Sequence, residues 1–315
     1  MTTQPSTPAP SPGVAPLWAV CVFSILNSVG TGVINNGIFF LAKEAYAFGR
    51  LENYALGVVM GATYIGGALG VGPALQRLCE RVGWITHRLA LAAVMVGLAV
   101  MSTLPWIAAG FRDTPEAGGA WSIWVVAALF GPLTGALWPI VESYVTGGRR
   151  GENLRHAIGT WNIAWSATVA ASLWMIGPLV EPAPRLVLAG LAPVCLLAMA
   201  CLPAMGRDPG RHLDDGPHEA PPDYERLLAV FRILLPVSYF VVSALGPNLP
   251  TALEKLGVAP GWRTPLAATW TLIRVPAFIV LARWHGWHGR WWMPHTGIGL
   301  LAGGFALAVL GPALL

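Results

Sequence analysis

Two ionisable side chains lie well inside apolar stretches of this 315-residue sequence. Glu142 follows the run GPLTGALWPIV, and Arg274 lies near the middle of the run PLAATWTLIRVPAFIVLA. A bilayer interior excludes such groups unless they face protein or water, so both are functional candidates. Glu142 could couple a solute or a proton, or it could form a gating salt bridge with a loop arginine. Arg274 could bind a carboxylate or phosphate, or it could pair with an acid on another helix, for which Glu142 is the obvious choice.

Polar and aromatic residues recur at helical spacing around these two. Asn27, Thr31 and Asn35 share one face of an otherwise apolar helix, and Trp138 precedes Glu142 by one turn. Such side chains either line a water-filled cavity or join neighbouring helices by hydrogen bonds and packing. The candidate set for binding or coupling a solute is Asn27, Thr31, Asn35, Trp138, Glu142, Asn162, Trp165, Trp270 and Arg274.

The composition indicates a polytopic membrane protein. Hydrophobic residues make up 55% of the chain and charged residues 11%, against roughly 25% charged in soluble domains. The small net charge of +4 is spread over short loops, which indicates membrane topology and argues against a nucleic-acid partner. No nucleophile elbow, zinc-protease motif, P-loop or dinucleotide fingerprint occurs. We therefore expect no enzymatic activity, cofactor or metal.

The apolar runs predict an all-α fold with nine membrane-spanning helices, each long enough to cross a bilayer core. A Pro-, Ser- and Thr-rich tail at 1–15 precedes them, and a charged, Pro- and Gly-rich linker at 206–226 interrupts them. The predicted domains are the tail, a six-helix bundle at 16–205, the linker and a smaller bundle at 227–315. The predicted helices cover 16–41, 51–75, 89–109, 121–145, 154–180, 185–205, 227–249, 265–282 and 293–315.

Basic residues are unevenly distributed between alternate loops. The loops after the second, fourth, sixth and eighth helices hold twice as many lysines and arginines as the others. Because basic loops stay in the cytoplasm, these loops and the N-terminus are predicted to be cytoplasmic. The predicted location is the cytoplasmic (inner) membrane, with multiple passes.

Two stretches resemble the major facilitator superfamily. The run 131–166 is similar to that family's fourth and fifth helices, with a tryptophan, proline and acid before a basic loop. The loop ERVGWITHR resembles the family's signature in part. Arg81 and Gly83 match it, Glu80 stands where the signature has Asp, and Gln76 and Trp84 stand where it has Gly and Arg. An echo, ARWHGWHGRW, follows the eighth helix. The resemblance implies a six-helix N-terminal bundle and a partial, about three-helix, C-terminal bundle, without the last three of the family's twelve helices.

The same resemblance implies a function. A member of this family would be a secondary active transporter, or permease, that moves a small organic solute by alternating access. Arg274 indicates an anionic solute, and Glu142 indicates protons as the coupling ion. The alternative is a shortened, non-transporting membrane module, a sensor or an assembly partner, derived from a transporter. The partners expected are the solute and the lipid bilayer, and the oligomeric state stays open.

Overall fold

The protein is described by a computed structural model, which covers residues 13–112, 119–213, 223–284 and 286–314. Within these residues the regular elements are helices and no strand occurs. The α-helices are α1 Leu17–Thr31, α2 Ile38–Tyr46, α3 Arg50–Arg81, α4 His87–Ala108, α5 Ala120–Thr146, α6 Gly151–Ile176, α7 Pro184–Ala189, α8 Leu191–Met199, α9 Tyr224–Leu245, α10 Leu249–Lys255, α11 Pro260–Ala267, α12 Thr269–Arg283 and α13 Trp292–Leu314.

Seven helical segments of the described chain are long and apolar enough to cross a membrane. All nine predicted segments contain helix, and the two outside the seven are those of α6 and α13. Helices suit a membrane because each satisfies its own backbone hydrogen bonds. The seven are Leu17–Asn36, Arg50–Leu75, His87–Ala108, Ala120–Thr146, Pro184–Ala204, Tyr224–Lys255 and Pro260–Arg283.

The first predicted helix is longer than expected and is not uniform. A five-residue π-helix, Gly32–Asn36, separates α1 from α2, and the segment ends only at Tyr46, before Ala47 with a left-handed φ of 56°. A side chain at position 32 would collide with Ser172 of α6. Glycine therefore lets α1 and α6 approach closely at the point where the helix widens.

The first eight helices pack into a bundle with a continuous core. Helix α3 packs mainly on α5, α4 packs on α5 and α8, and α1 packs on α6 and α8. The α3–α5 contact depends on small residues, since a Cβ at Gly135 would lie 2.8 Å from the Tyr64 carbonyl oxygen. Fully buried side chains from several helices fill the centre, including Phe23, Leu56, Met95, Ile123 and Leu173.

The charged segment after the bundle is tied to it. The Tyr144 hydroxyl donates to the carbonyl oxygens of Gly206 and Arg207, at 2.9 and 3.1 Å. The backbone N–H and the ring of His87 contact the Asp208 carboxylate, at 3.1 and 2.7 Å. Residues 214–222, within the predicted linker, lie outside the described chain, as do residues 1–12 of the predicted tail.

The C-terminal helices form looser contacts. Helix α12 packs along α6, α11 packs beside the single 3-10 turn that follows α6, and α9 contacts α13 and the α3 side of the bundle. Much of the surface of α9 and α13 is exposed, including Phe240 and Leu300. The α6–α12 contact is therefore the most extensive one between the two parts of the chain.

Candidate functional site

Three tryptophans from α5 and α6 form a cluster beside the C-terminal helices. The ring centroids of Trp138, Trp161 and Trp165 lie 6.1 to 6.5 Å from one another. The Trp161 indole N–H donates to the Ser24 hydroxyl at 2.9 Å, and the Trp165 indole N–H donates to Asn162 Oδ1 at 2.9 Å. These bonds satisfy both indole groups and fix the rings in place.

Arg274 of α12 lies among four aromatic rings, which we call the aromatic cage. Its guanidinium carbon is 4.7 Å from the centre of the Trp165 ring, 5.4 Å from Trp270, 5.6 Å from Phe278 and 5.9 Å from Tyr239. The Arg274 Nη2 also donates to the Tyr239 hydroxyl at 3.2 Å. Ring faces attract a cation, and each such contact is worth about 0.5–2 kcal/mol. The cage thus holds the charge without a carboxylate.

Helices from both parts of the chain build this cage. Trp165 belongs to α6 of the bundle, Tyr239 to α9, and Trp270 and Phe278 to α12. On α12, the two aromatic residues and Arg274 are spaced four apart and so share one face. The packing of α12 on α6 brings that face against Trp165.

The cage opens into a small cleft. The volume of the cleft is about 190 Å³. Apart from the guanidinium, its lining is uncharged. The lining residues are Leu235, Ser238, Tyr239, Val242, Trp270 and Arg274.

The structure does not join Arg274 to Glu142. No carboxylate of the described residues lies within ion-pair distance of Arg274, and Glu142 is exposed on α5. Glu142 and Tyr239 both lie within electrostatic range of the Tyr64 phenol on α3. Glu142 and Arg274 therefore do not form the salt bridge considered from the sequence.

The polar stripe of α1 is buried against α6 and lies apart from the cage. Asn27 and Thr31 are buried with Ser28 between them. Within the described chain, Asn27 Nδ2, Ser28 Oγ and Thr31 Oγ1 have no hydrogen-bond partner. Asn35 is exposed in the π-helix, and no hydrogen bond or ring contact connects it to the cage. Ser24 alone reaches the tryptophan cluster.

The structure thus divides the predicted set. Trp138, Asn162, Trp165, Trp270 and Arg274 come together, while Asn27, Thr31, Asn35 and Glu142 lie in other surroundings. Sequence reasoning missed Tyr239 and Phe278. Phe278 had a signal, because it lies one turn after Arg274. Tyr239 had none, because the sequence does not give the position of α9 relative to α12.

A second set of charges joins the two parts of the chain at the end of α2. Lys43 pairs with Glu254 of α10, and Glu44 pairs with Arg263 of α11 at 3.4 Å. Burial raises the pKa of Glu44 above its ordinary value, and the nearby Arg263 and Lys43 reduce this rise. All four residues lie between the helices predicted from the sequence, which gave no indication that they pair.

The end of α2 is itself held by Arg185 of α7. The buried Arg185 donates from Nη2 to the Ala45 carbonyl oxygen at 2.7 Å, and its guanidinium lies 4.8 Å from the Tyr46 ring centre.

In the described chain no three His, Cys, Asp or Glu side chains come together as metal ligands would. No family model, curated protein or solved structure matches the chain.

Proposed function

We propose that the chain is a secondary transporter of the major facilitator type, which moves a small organic anion across the cytoplasmic membrane by alternating access. The aromatic cage is the observation that carries the proposal. It places a permanent cation and four rings at the junction between the bundle and the C-terminal helices. In transporters the solute site lies at such a junction, so that movement of one part against the other changes its access.

The ion pairs of α2 support this proposal. Lys43–Glu254 and Glu44–Arg263 join the two parts at one end of the junction. Helix α2 supplies the cation of the first pair and the anion of the second. Partly exposed pairs of this kind contribute roughly 0.2–1 kcal/mol each. Contacts this weak break and form readily, as a gate requires. The pairs would close the junction between the two parts at the end where Lys43 and Glu44 lie.

We place that end on the outer side of the membrane. The distribution of basic residues puts the loop after Arg149 and the segment containing Arg207 and Arg211 in the cytoplasm. A reporter enzyme that works only in the cytoplasm should then be active when it is fused after Arg150. A reporter enzyme that works only outside should be active when it is fused after Arg112. The reverse pattern would contradict both the orientation and the placement of the gate.

Glu142 is the proposed coupling residue. It is exposed on α5, and it has no ion-pair partner in the described chain. A carboxylate in this setting can gain and lose a proton during the cycle. Glu142→Gln should abolish proton-driven accumulation and leave solute exchange intact. A variant that accumulates solute like the parent protein would remove Glu142 from the mechanism.

Flux through purified protein tests the function directly. Proteoliposomes containing the full chain should take up labelled short-chain carboxylates faster than empty liposomes. A reducible cross-linker between cysteines at positions 43 and 254, with the native cysteines replaced, should stop the flux, and reductant should restore it. Binding without flux in any direction would instead favour a non-transporting membrane module.

A further inference from the structure

We propose that the aromatic cage selects a small monocarboxylate with an apolar body, and that it rejects dianions. The proposal deepens the transport function and rests on it for its setting. It concerns binding, however, and binding can be measured without flux. Three properties of the cage carry the inference: its unused donors, its single charge and its apolar walls.

The donors of Arg274 are mostly unused. A guanidinium carries five N–H groups, and in the described chain Arg274 directs a hydrogen bond only to the Tyr239 hydroxyl. The surrounding rings attract the cation but accept no conventional hydrogen bonds. A buried or half-buried donor without a partner is costly, so the site favours a ligand that supplies acceptors. A carboxylate supplies two in the planar arrangement that matches the guanidinium fork.

The charge of the site balances one negative charge. Arg274 is the single charged residue among those lining the cleft, and no carboxylate of the described residues pairs with it. A second carboxylate on the ligand would lie against Leu235, Val242 and the ring of Trp270, where an unpaired charge is strongly disfavoured. A neutral or cationic head group would leave the guanidinium unpaired.

The walls of the cleft set the nature and size of the ligand body. Leu235, Val242 and Trp270 offer apolar surface beside the cation, and Ser238 adds one hydroxyl group, which donates to the Leu235 carbonyl oxygen at 2.7 Å. The cleft of about 190 Å³ is smaller than the roughly 300–1,000 Å³ of sites for drug-sized ligands. The matching ligand is therefore a short aliphatic or compact aromatic chain that ends in one carboxylate.

A series of five-carbon compounds tests the inference. Pentanoate, glutarate, pentan-1-ol and pentylammonium, with acetate as the short carboxylate, are titrated calorimetrically into the full chain in lipid nanodiscs. Pentanoate should bind, and glutarate and acetate should each bind at least about tenfold more weakly, a difference of about 1.4 kcal/mol. The alcohol and the amine should show no saturable binding. Glutarate or pentan-1-ol binding as well as pentanoate, or no carboxylate binding, would overturn the inference.

Variants assign the binding to the cage. Arg274→Lys should weaken pentanoate binding about tenfold or more because ammonium lacks the planar fork, and Arg274→Gln should remove it. Arg283→Lys is the matched control, since Arg283 is an exposed arginine at the end of the same helix, and it should bind normally. Val242→Phe, which narrows the cleft, should weaken pentanoate more than acetate. Unchanged pentanoate binding by folded Arg274→Gln would overturn the assignment.

The two proposals fail in different ways. Selective pentanoate binding without flux in proteoliposomes would sustain the cage and refute the transporter. Carboxylate flux that survives Arg274→Gln, together with binding of glutarate as tight as that of pentanoate, would sustain the transporter and refute the cage.

Discussion

The bundle of α1–α8 and the helices α9–α13 are similarly apolar in sequence but are packed in different ways. The buried share of the apolar stretch is 39% to 61% in four spanning segments of the bundle and 17% in Arg50–Leu75. It is 6% in Tyr224–Lys255 and 22% in Pro260–Arg283. Apolarity places both parts in lipid and does not decide which surfaces meet. In the bundle, small residues bring backbones together. In the C-terminal part, α6–α12 packing, the cage and two ion pairs make the connection.

The difference suggests a division of roles. Tight packing of α1–α8 supplies most of the stability, because close-packed interiors lose contacts with every atom removed. The junction is held by a few contacts that can be exchanged at small cost.

The largest expected effect is the loss of a buried ring in the bundle. Phe23→Ala should lower the free energy of unfolding by roughly 3–5 kcal/mol, because Phe23 is fully buried. Phe240→Ala, at an exposed position of α9, should change it by less than about 1 kcal/mol. Unfolding by increasing SDS in mixed micelles measures both. Equal losses would mean that α9 is packed as tightly as α1.

A smaller effect is expected from an added methyl group at a helix contact. In Gly135→Ala the new Cβ would lie 2.7 Å from the Ala68 backbone nitrogen, and the strain should cost roughly 1–3 kcal/mol. Gly66→Ala is the control, because nothing lies within 4 Å of a Cβ there, and it should be neutral or stabilise by about 0.5–1 kcal/mol. If Gly135→Ala is tolerated in the same unfolding assay, the close α3–α5 contact is wrong.

The ion pairs of the junction should show coupling near the limit of measurement. Glu44→Gln and Arg263→Gln, alone and together, form a double-mutant cycle whose coupling energy should be about 1 kcal/mol or less. The folded-state pKa of Glu44 is raised, chiefly by burial. The free energy of unfolding should therefore decrease as the pH rises from the ordinary pKa of a glutamate through the raised pKa of Glu44. Glu44→Gln should abolish that part of the pH dependence. Coupling of several kcal/mol would contradict an exchangeable gate.

The smallest effect concerns the charged segment that follows the bundle. Partial burial opposes ionisation of Asp208, but hydrogen bonds from His87 and the charge of Arg207 outweigh it and hold the pKa of Asp208 below its ordinary value. The contribution of Asp208 to the free energy of unfolding should be complete above the ordinary pKa of an aspartate. It should disappear as the pH falls through the lowered pKa of Asp208. In Asp208→Asn the free energy of unfolding should depend less on pH in the acidic range, by a fraction of a kcal/mol. Thermal unfolding at a series of pH values measures this dependence. If the variant and the parent protein show the same dependence, the contact between His87 and Asp208 is excluded.

Much of the fold follows from the sequence because apolar run length is a one-dimensional property. The nine predicted segments all contain helix, but the sequence did not predict the interruptions within them, among them Gly32–Asn36, Gly190, Gly246–Asn248 and Ala268. The glycines and proline were visible in the sequence, but their effect depends on which helix packs against them. The burial of Asn27 against α6, with Asn35 exposed beyond it, has the same cause.

The site was predictable along single helices and not across them. The spacing of Trp270 and Arg274 on α12, and of Asn162 and Trp165 on α6, is fixed by helix geometry. The meeting of the two groups depends on the contact between α6 and α12, which no periodicity encodes. The position of the Tyr239 ring and the ion pairs of Lys43 and Glu44 likewise depend on contacts between helices that are distant in the sequence.

Pulsed electron paramagnetic resonance tests the central claim, that the two parts rock about the cage. One pair of spin labels replaces Leu51 and Leu256, exposed residues at the α2 end of the junction. A second pair replaces Arg81 and Arg283, exposed residues at the ends of α3 and α12. In nanodiscs, pentanoate should shift the two distance distributions in opposite directions, one lengthening while the other shortens. If the distance distributions of both pairs stay unchanged at saturating pentanoate, the rocking motion is contradicted.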